Sequence, residues 1–344
     1  MAKQAESRRT TIYDLAKLAG SSPSAVSAVL NGNWRKRRIS AALAERITRI
    51  ADEQGYSLNM QASALRREGS HLIGMIVPKY DNRYFGSIVE GFEQMARARG
   101  LFPIVTCTQR DPDLEMQAAR AMISHQVDCL VATGATDPDR IADLCAASGV
   151  RAINLDLPGS RAPSVISDNY GGALVLTRQL LGRLGGKPAH LLFIGGRAAD
   201  HNTAERIRGF CDAHAEIGIS PPQPELILPC GYAAEKAQSA LDRLVAGGTA
   251  VPPAFFVNST IALEGVMAWL HRRHDGPPPY IGCFDWDPII AAIHGDIPMI
   301  RQDVPAMLTA LFQLIDASAG EAHDPGRWLV QIPTVPELAQ RRPA

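Results

Sequence analysis

The sequence predicts a small all-helical head followed by an α/β body of two doubly wound lobes built on parallel sheets. Three observations carry this reading. Two short amphipathic segments meet at a glycine near the N-terminus. After residue 70 the chain changes to apolar runs that alternate with helix-like stretches. The charge divides at the same place: residues 1–70 hold twelve Lys/Arg against six Asp/Glu, and the remainder holds 23 against 29 in a chain that is neutral as a whole.

The head comes first. Residues 11–31 read as two helices joined by a tight turn, with Ile12, Leu15, Ala16 and Ala19 on one apolar face and Val26, Val29 and Leu30 on the next. Gly20 stands where the first helix must stop. Ser22 suits the cap of the second, and Pro23 its first turn, where a missing N–H loses no partner. That arrangement is a helix-turn-helix, whose second helix fits the DNA major groove. An ordinary helical hairpin fits the same pattern, so the flanking sequence decides. Residues 41–55 read as a third helix, with Leu43, Ile47 and Ile50 at helical spacing and Gly55 at its end. Between them lies Trp34-Arg35-Lys36-Arg37-Arg38, the densest basic run in the chain. Such a run beside a helix-turn-helix is placed to meet phosphates, which add affinity without reading sequence. Residues 57–70 form a weakly apolar, helix-capable linker.

The body follows. Leu72–Val77 is a compact apolar run suited to a strand covered on both faces. Further strand candidates are 102–106, 129–132, 152–156, 190–194, 254–257 and 280–284. Helix candidates are 85–99, 113–125, 137–148, 171–184, 203–216, 233–246 and 261–272. Strands alternating with helices imply parallel sheets wound on both sides. Two such stretches, with a break near 168–171, imply two lobes, and ligands then bind at the strand C-terminal ends facing the cleft between them.

Composition bounds the function. Hydrophobic residues make up 46% of 344. No apolar run reaches the roughly 18 residues of a membrane span. The N-terminal Met-Ala-Lys-Gln-Ala-Glu-Ser-Arg-Arg lacks the apolar segment of a secretory signal, so a cytoplasmic, nucleoid-associated protein is expected. The six cysteines are scattered with no Cys-x-x-Cys pair, so neither zinc, disulfides nor any cofactor is expected. A nucleophile elbow, a phosphate-loop lysine and a dinucleotide fingerprint are all missing from the sequence, which argues against an enzyme.

At this point a family resemblance emerges. Tyr13-Asp14-Leu15-Ala16, residues 20–27 and Asn31-Gly32 resemble the head of the LacI/GalR transcriptional regulators. Gly55-Tyr56 with Asn59, Ala62, Leu65 and Arg66 resembles the family's hinge. Residues 72–78, 166–173, 206–210, 258–265 and 282–285 are similar to later landmarks, in the right order. Within the family, residues 33–40 and 109–116 most resemble the fructose-operon repressor type.

The resemblance implies a fold and a division of the chain. The body would be periplasmic-binding-protein-like. The head would span 1–57 and the hinge 58–70. The first lobe would take 71–168 and 301–328, and the second 169–300 and 329–344. It implies DNA contacts at Thr11, Tyr13, Lys17, Ser22, Pro23, Ser24, Ser27, Ala28, Asn31, Trp34, Arg35 and Arg37. Ala28 stands where many members carry arginine, and Thr11, Ser22, Ser27 and Asn31 serve equally well as caps. In the hinge, Asn59, Ala62 and Arg66 would accompany Leu65, the wedge that inserts into the minor groove of a pseudo-palindromic operator bound by a homodimer.

For a sugar-type effector the resemblance implies Tyr84, Phe85, Arg110, Asp156, Arg206, Tyr232, Asn258, Asp285, Trp286 and Gln302. Planar polar groups around hydroxyls with an aromatic face suit a sugar, and Arg110 with Arg206 would suit an anionic one. Asp156 and Asp285 also suit plain strand-end turns. Ser259 and Trp286 replace acids usual in the family. Effector binding would shift the lobes and change the grip on DNA. The rival to this reading is a free-standing sugar receptor, against which the basic head argues.

Overall fold

The computed structural model describes residues 10–56, 69–185, 189–273, 276–317 and 328–337. The chain separates into two compact units, Met1–Ser70 and His71–Ala344.

The head is three helices: α1 (Ile12–Leu18), α2 (Pro23–Leu30) and α3 (Ala41–Glu53). Thr11 and Asp14 form a reciprocal capping box at α1, with the Thr11 N–H donating to the Asp14 carboxylate at 2.8 Å. Gly20 takes φ +58°, the left-handed geometry that turns the chain after α1. Ser22 caps α2 by accepting from the Ala25 N–H at 3.2 Å, and Ser40 caps α3. Leu15, Ala16, Ala19, Val26, Val29, Ala44, Ile47 and Ala51 are the buried core of these helices, and Trp34 packs its ring against them.

The body holds two six-stranded sheets. The first lobe runs β1 (Leu72–Val77), α4 (Arg83–Ala98), β2 (Phe102–Cys107), α5 (Pro112–Ser124), β3 (Cys129–Thr133), α6 (Pro138–Ala147), β4 (Arg151–Leu155) and β5 (Ser164–Ser167). The second runs α7 (Asn169–Arg183), β6 (Leu192–Ile194), β7 (Gly196–Arg197), α8 (His201–Glu216), β8 (Ile227–Leu228), β9 (Cys230–Gly231), α9 (Ala234–Ala246), β10 (Ala254–Val257), α10 (Thr260–His271), β11 (Tyr280–Phe284), α11 (Pro288–Ile293) and β12 (Met299–Arg301). The chain then returns through α12 (Val304–Asp316) to β13 (Leu329–Ile332) and β14 (Val335–Glu337).

Strand order is β13-β5-β4-β3-β1-β2 in the first sheet and β14-β12-β11-β10-β6-β8 in the second, with β7 and β9 as a separate pair. The first sheet is parallel throughout. The second is parallel except for β14, which runs against β12. The central strands are buried almost without a break, as helices on both faces require: β3 and β10 are buried at every residue.

The chain crosses between lobes three times, and the last two crossings revise the expected boundaries. Arg301 ends β12 in the second sheet, whereas a boundary at 301 would place it in the first lobe. Residues 329–332 pair with β5 in the first sheet, Leu329 opposite Ser164, whereas they were expected in the second lobe. The last crossing is therefore at 333–334. Backbone pairing to β5 fixes these residues, and an apolar pattern of four residues does not reveal which sheet receives it.

Candidate functional site

The cleft between the lobes is built from strand ends. Asp156 follows β4 and Asp285 follows β11, the corresponding places in the two sheets. Both take a left-handed backbone, φ +74° and +79°, which aspartate tolerates better than most residues. Their N–H groups still bond to the neighbouring strands, at Val165 O (2.9 Å) and Ile300 O (2.8 Å). The fold thus turns each carboxylate out of its sheet and into the cleft.

A polar cavity of about 30 Å³ lies between them. Its walls include Tyr84 and Phe85 from the start of α4, Arg110 from the turn after β2, Asn202 and Arg206 from α8, Tyr232 after β9, and Gln302 in the second crossing. The side chains form one network. Tyr84 Oη donates to Asp156 Oδ1 at 3.0 Å, and Asn202 Nδ2 donates to the same oxygen at 3.2 Å from the other lobe. Asn169 Nδ2 donates to Asn202 Oδ1 at 3.0 Å, and Arg206 Nε donates to Asn169 Oδ1 at 2.8 Å. Arg206 Nη1 reaches the Asn258 carbonyl at 2.7 Å, and its guanidinium lies 3.6 Å from the Phe284 ring centre. Gln302 donates to Asp285 and accepts from Ser167 Oγ at 2.7 Å. Arg110 sits against the rings of Tyr232 (4.6 Å) and Phe85 (5.6 Å) and donates to Gly134 O at 3.3 Å.

Burial governs the electrostatics. It pushes the Asp156 carboxyl up to about 6, against the pull of Arg110 and Arg206. Burial also raises Asp285, with Arg206 and the Gln302 amide opposing it. The Tyr84 phenol is driven well above its usual value by burial and then by the Asp156 and Asp285 charges, so it stays a donor. Two guanidiniums therefore face two carboxylates across the cleft.

Eight of the ten residues expected at an effector meet in this cavity: Tyr84, Phe85, Arg110, Asp156, Arg206, Tyr232, Asp285 and Gln302. The other two do not line it. Asn258 is fully buried at the end of β10, and its Nδ2 has no partner among the described residues. Trp286 packs against the second lobe's core and lines an adjoining cavity of about 450 Å³ that shares Tyr84, Asp285 and Gln302 with the polar one. Sequence reasoning missed Asn169 and Asn202. Both lie at helix starts, where an amide reads as a cap and gives no other signal. The pair Gly195-Gly196 takes φ +100° and +78°, and a Cβ at either position would collide with Ala262, Asn258 or Thr203.

In the head, Tyr13, Lys17, Ser24, Arg35 and Arg37 are exposed. Thr11 and Ser22 spend their side chains on caps, and Asn31 Nδ2 donates to Ser27 O at 2.7 Å. Pro23 and Ala28 are half-buried on α2. The Trp34 ring is half-buried and packs against the head core, with the Arg35 guanidinium 5.0 Å from its centre. Asn59, Ala62, Leu65 and Arg66 lie outside the described residues.

Two family models match the chain. Residues 11–59 match the bacterial regulatory proteins of the lacI family, and residues 70–273 match the periplasmic binding proteins and sugar binding domain of the LacI family. The chain belongs to the LacI family. It is a DNA-binding transcriptional regulator with a periplasmic-binding-protein-like body. This LacI-family chain is 66% identical to the ribitol operon repressor of Klebsiella aerogenes over 195 residues, 56% of this chain and 72% of the relative. It is 29% identical to the fructose operon regulatory protein of Vibrio cholerae over 265 residues, 75% of this chain and 78% of that one. In fold it is similar to the lac repressor dimer bound to operator and the anti-inducer ONPF. That likeness has a TM-score of 0.78 at 20% identity, over 96% of this chain and 98% of that one.

Proposed function

We propose that this regulator is a repressor of polyol-utilisation genes, and that a neutral polyol releases it from its operator, with ribitol the first candidate. The carrying observation is the charge-balanced cleft. Arg110 and Arg206 already face Asp156 and Asp285. A phosphate or sugar acid would bring a third negative charge into a buried site, which is costly without a further cation. Alternating carboxylates and N–H donors suit hydroxyls, each of which gives one hydrogen and accepts others. The 66% identity to a ribitol operon repressor supports the same class.

The free space between the two carboxylates is about 30 Å³, and the Asn202–Asp156 bond ties the lobes together across it. A polyol seated between the carboxylates replaces that bond with its own hydroxyls as the lobes part. Ligand binding and lobe orientation are thus one event. In a homodimer holding a pseudo-palindromic operator, reorienting the lobes alters the spacing of the hinges, where Leu65 is the proposed minor-groove wedge and Asn59, Ala62 and Arg66 its neighbours. Effector and operator then weaken each other reciprocally, by a coupling typically of about 1–3 kcal/mol. The protein works at the nucleoid and carries out no chemistry on its ligand.

Thermal denaturation of the whole protein tests this against ribitol, other polyols, sugar phosphates and sugar acids. A ligand at about 100 times its Kd stabilises by about 2.7 kcal/mol, a readily measured rise in Tm. Ribitol or a related neutral polyol gives that rise and releases bound DNA. Stabilisation by anionic sugars alone would overturn the proposal.

A further inference from the structure

Glu115 lies in the first turn of α5, outside the lining of the cleft, with only 2% of its surface exposed. A carboxylate so placed persists as an anion only when its oxygens are satisfied. Both of its oxygens accept from the Thr136 N–H, at 3.1 and 3.0 Å, and Oε1 also accepts from the Thr136 hydroxyl at 2.8 Å. Burial raises its pKa, opposed by Thr136, by the Asp137 N–H and by the Arg110 guanidinium. Glu115 thus ties α5 to the loop that joins β3 to α6.

That loop has a second attachment. The Gly134 carbonyl, two residues before Thr136, accepts from Arg110 Nη1 at 3.3 Å, and Thr136 Oγ lies 3.4 Å from the Arg110 carbonyl. Arg110 needs outside support. It and Gln109 both hold a left-handed backbone, φ +59° and +54°, which non-glycine residues keep only where their surroundings impose it.

We propose that Glu115 is a positioning residue for effector recognition: through Thr136 it fixes the 134–137 loop, whose Gly134 carbonyl holds the Arg110 guanidinium between Phe85 and Tyr232. This rests on the effector reading above for the role of Arg110. Glu115→Gln is nearly isosteric but turns one acceptor into an amide donor facing the Thr136 N–H. Thr136→Val removes the hydroxyl alone, and Thr136→Ser keeps both donors.

The test is calorimetric titration of the full-length protein with ribitol. Glu115→Gln weakens binding about tenfold, and in an Arg110→Ala background the same change adds less than about twofold, because the two residues act in series. Thr136→Ser retains more affinity than Thr136→Val. Equal losses in both backgrounds, or no loss, overturn the proposal, since a merely structural role would be additive. A second readout needs no ligand: the side-chain Nε–Hε resonance of Arg110 in the free protein, assigned by its disappearance in Arg110→Ala. Glu115→Gln displaces it, and an unmoved resonance overturns the proposal. If the unaltered protein takes no ribitol, the polyol reading fails, and this resonance decides the role of Glu115 alone.

Discussion

Arg206 is the residue whose removal the structure judges most severely. It is 3% exposed, with two charged donor bonds, to Asn169 Oδ1 at 2.8 Å and to the Asn258 carbonyl at 2.7 Å. It is also the cation that favours ionisation of both Asp156 and Asp285. Arg206→Ala strips two hydrogen bonds to a charged group, each worth about 1.5–3 kcal/mol, and the contributions are not additive. It also removes a cation whose field favours the charged form of both buried carboxylates, although its own hydrogen bonds go to Asn169 and Asn258. The expected loss at pH 7.5 is therefore about 3–5 kcal/mol. Without Arg206 both carboxyls titrate higher still. At pH 5 more of each is protonated, the uncompensated charge is relieved, and the loss shrinks toward that of the hydrogen bonds. Arg206→Lys keeps the charge but not the fork and falls between. Urea unfolding of the body, followed by circular dichroism at both pH values, measures this. A loss under about 1 kcal/mol at pH 7.5, or a larger loss at pH 5 than at 7.5, would refute the reasoning.

Three further outcomes follow from the same geometry. Asp156 titrates at about 6 in the fold against about 3.9 unfolded, so the native state holds its proton more tightly and stability from this group falls as pH rises through about 4–6. Asp156→Asn removes that penalty, so its Tm relative to the unaltered protein climbs across pH 4–6.5, and a pH-independent difference would contradict the assignment. Gly209 on α8 lies where a Cβ would collide with the Tyr170 carbonyl and crowd Leu174 N on α7. Gly209→Ala should therefore destabilise by about 1–3 kcal/mol in chemical denaturation, and a neutral result would show that the helices separate freely. Arg37 is exposed on the basic turn of the head. Arg37→Ala should weaken binding to all duplexes alike and lower the salt slope of log K by about 1 per contact, whereas a changed sequence preference would give Arg37 a base-reading role.

The head was legible because its signals are local. Gly20, Ser22 and Pro23 each have one conformational use at the turn, and Leu15, Val26 and Ile47 repeat at helical spacing into one core. The long central strands were legible because burial on both faces demands unbroken apolar runs. The crossings were harder. β12, β13 and β14 are three or four residues each, too short for periodicity to name a sheet. α12 escaped notice although Asp303 caps it, Pro305 lies in its first turn and exposed Thr309 and Gln313 stand opposite its buried face. Asp156 and Asp285 declared themselves at strand ends. The amides between them did not, because Asn169 and Asn202 take their meaning from Arg206 and Asp156, which only the folded chain brings near.

The central claim is that a neutral polyol, bound between the lobes, loosens the hold on DNA. Fluorescence anisotropy tests it most directly, using a duplex selected from a random pool by the full-length protein and titrated with and without ribitol. The account predicts tight, salt-sensitive binding that ribitol weakens about 5–150-fold, the span of ordinary allosteric coupling, with Asp156→Asn blunting the response. Operator affinity indifferent to every neutral polyol, but lowered by a sugar phosphate, would contradict it.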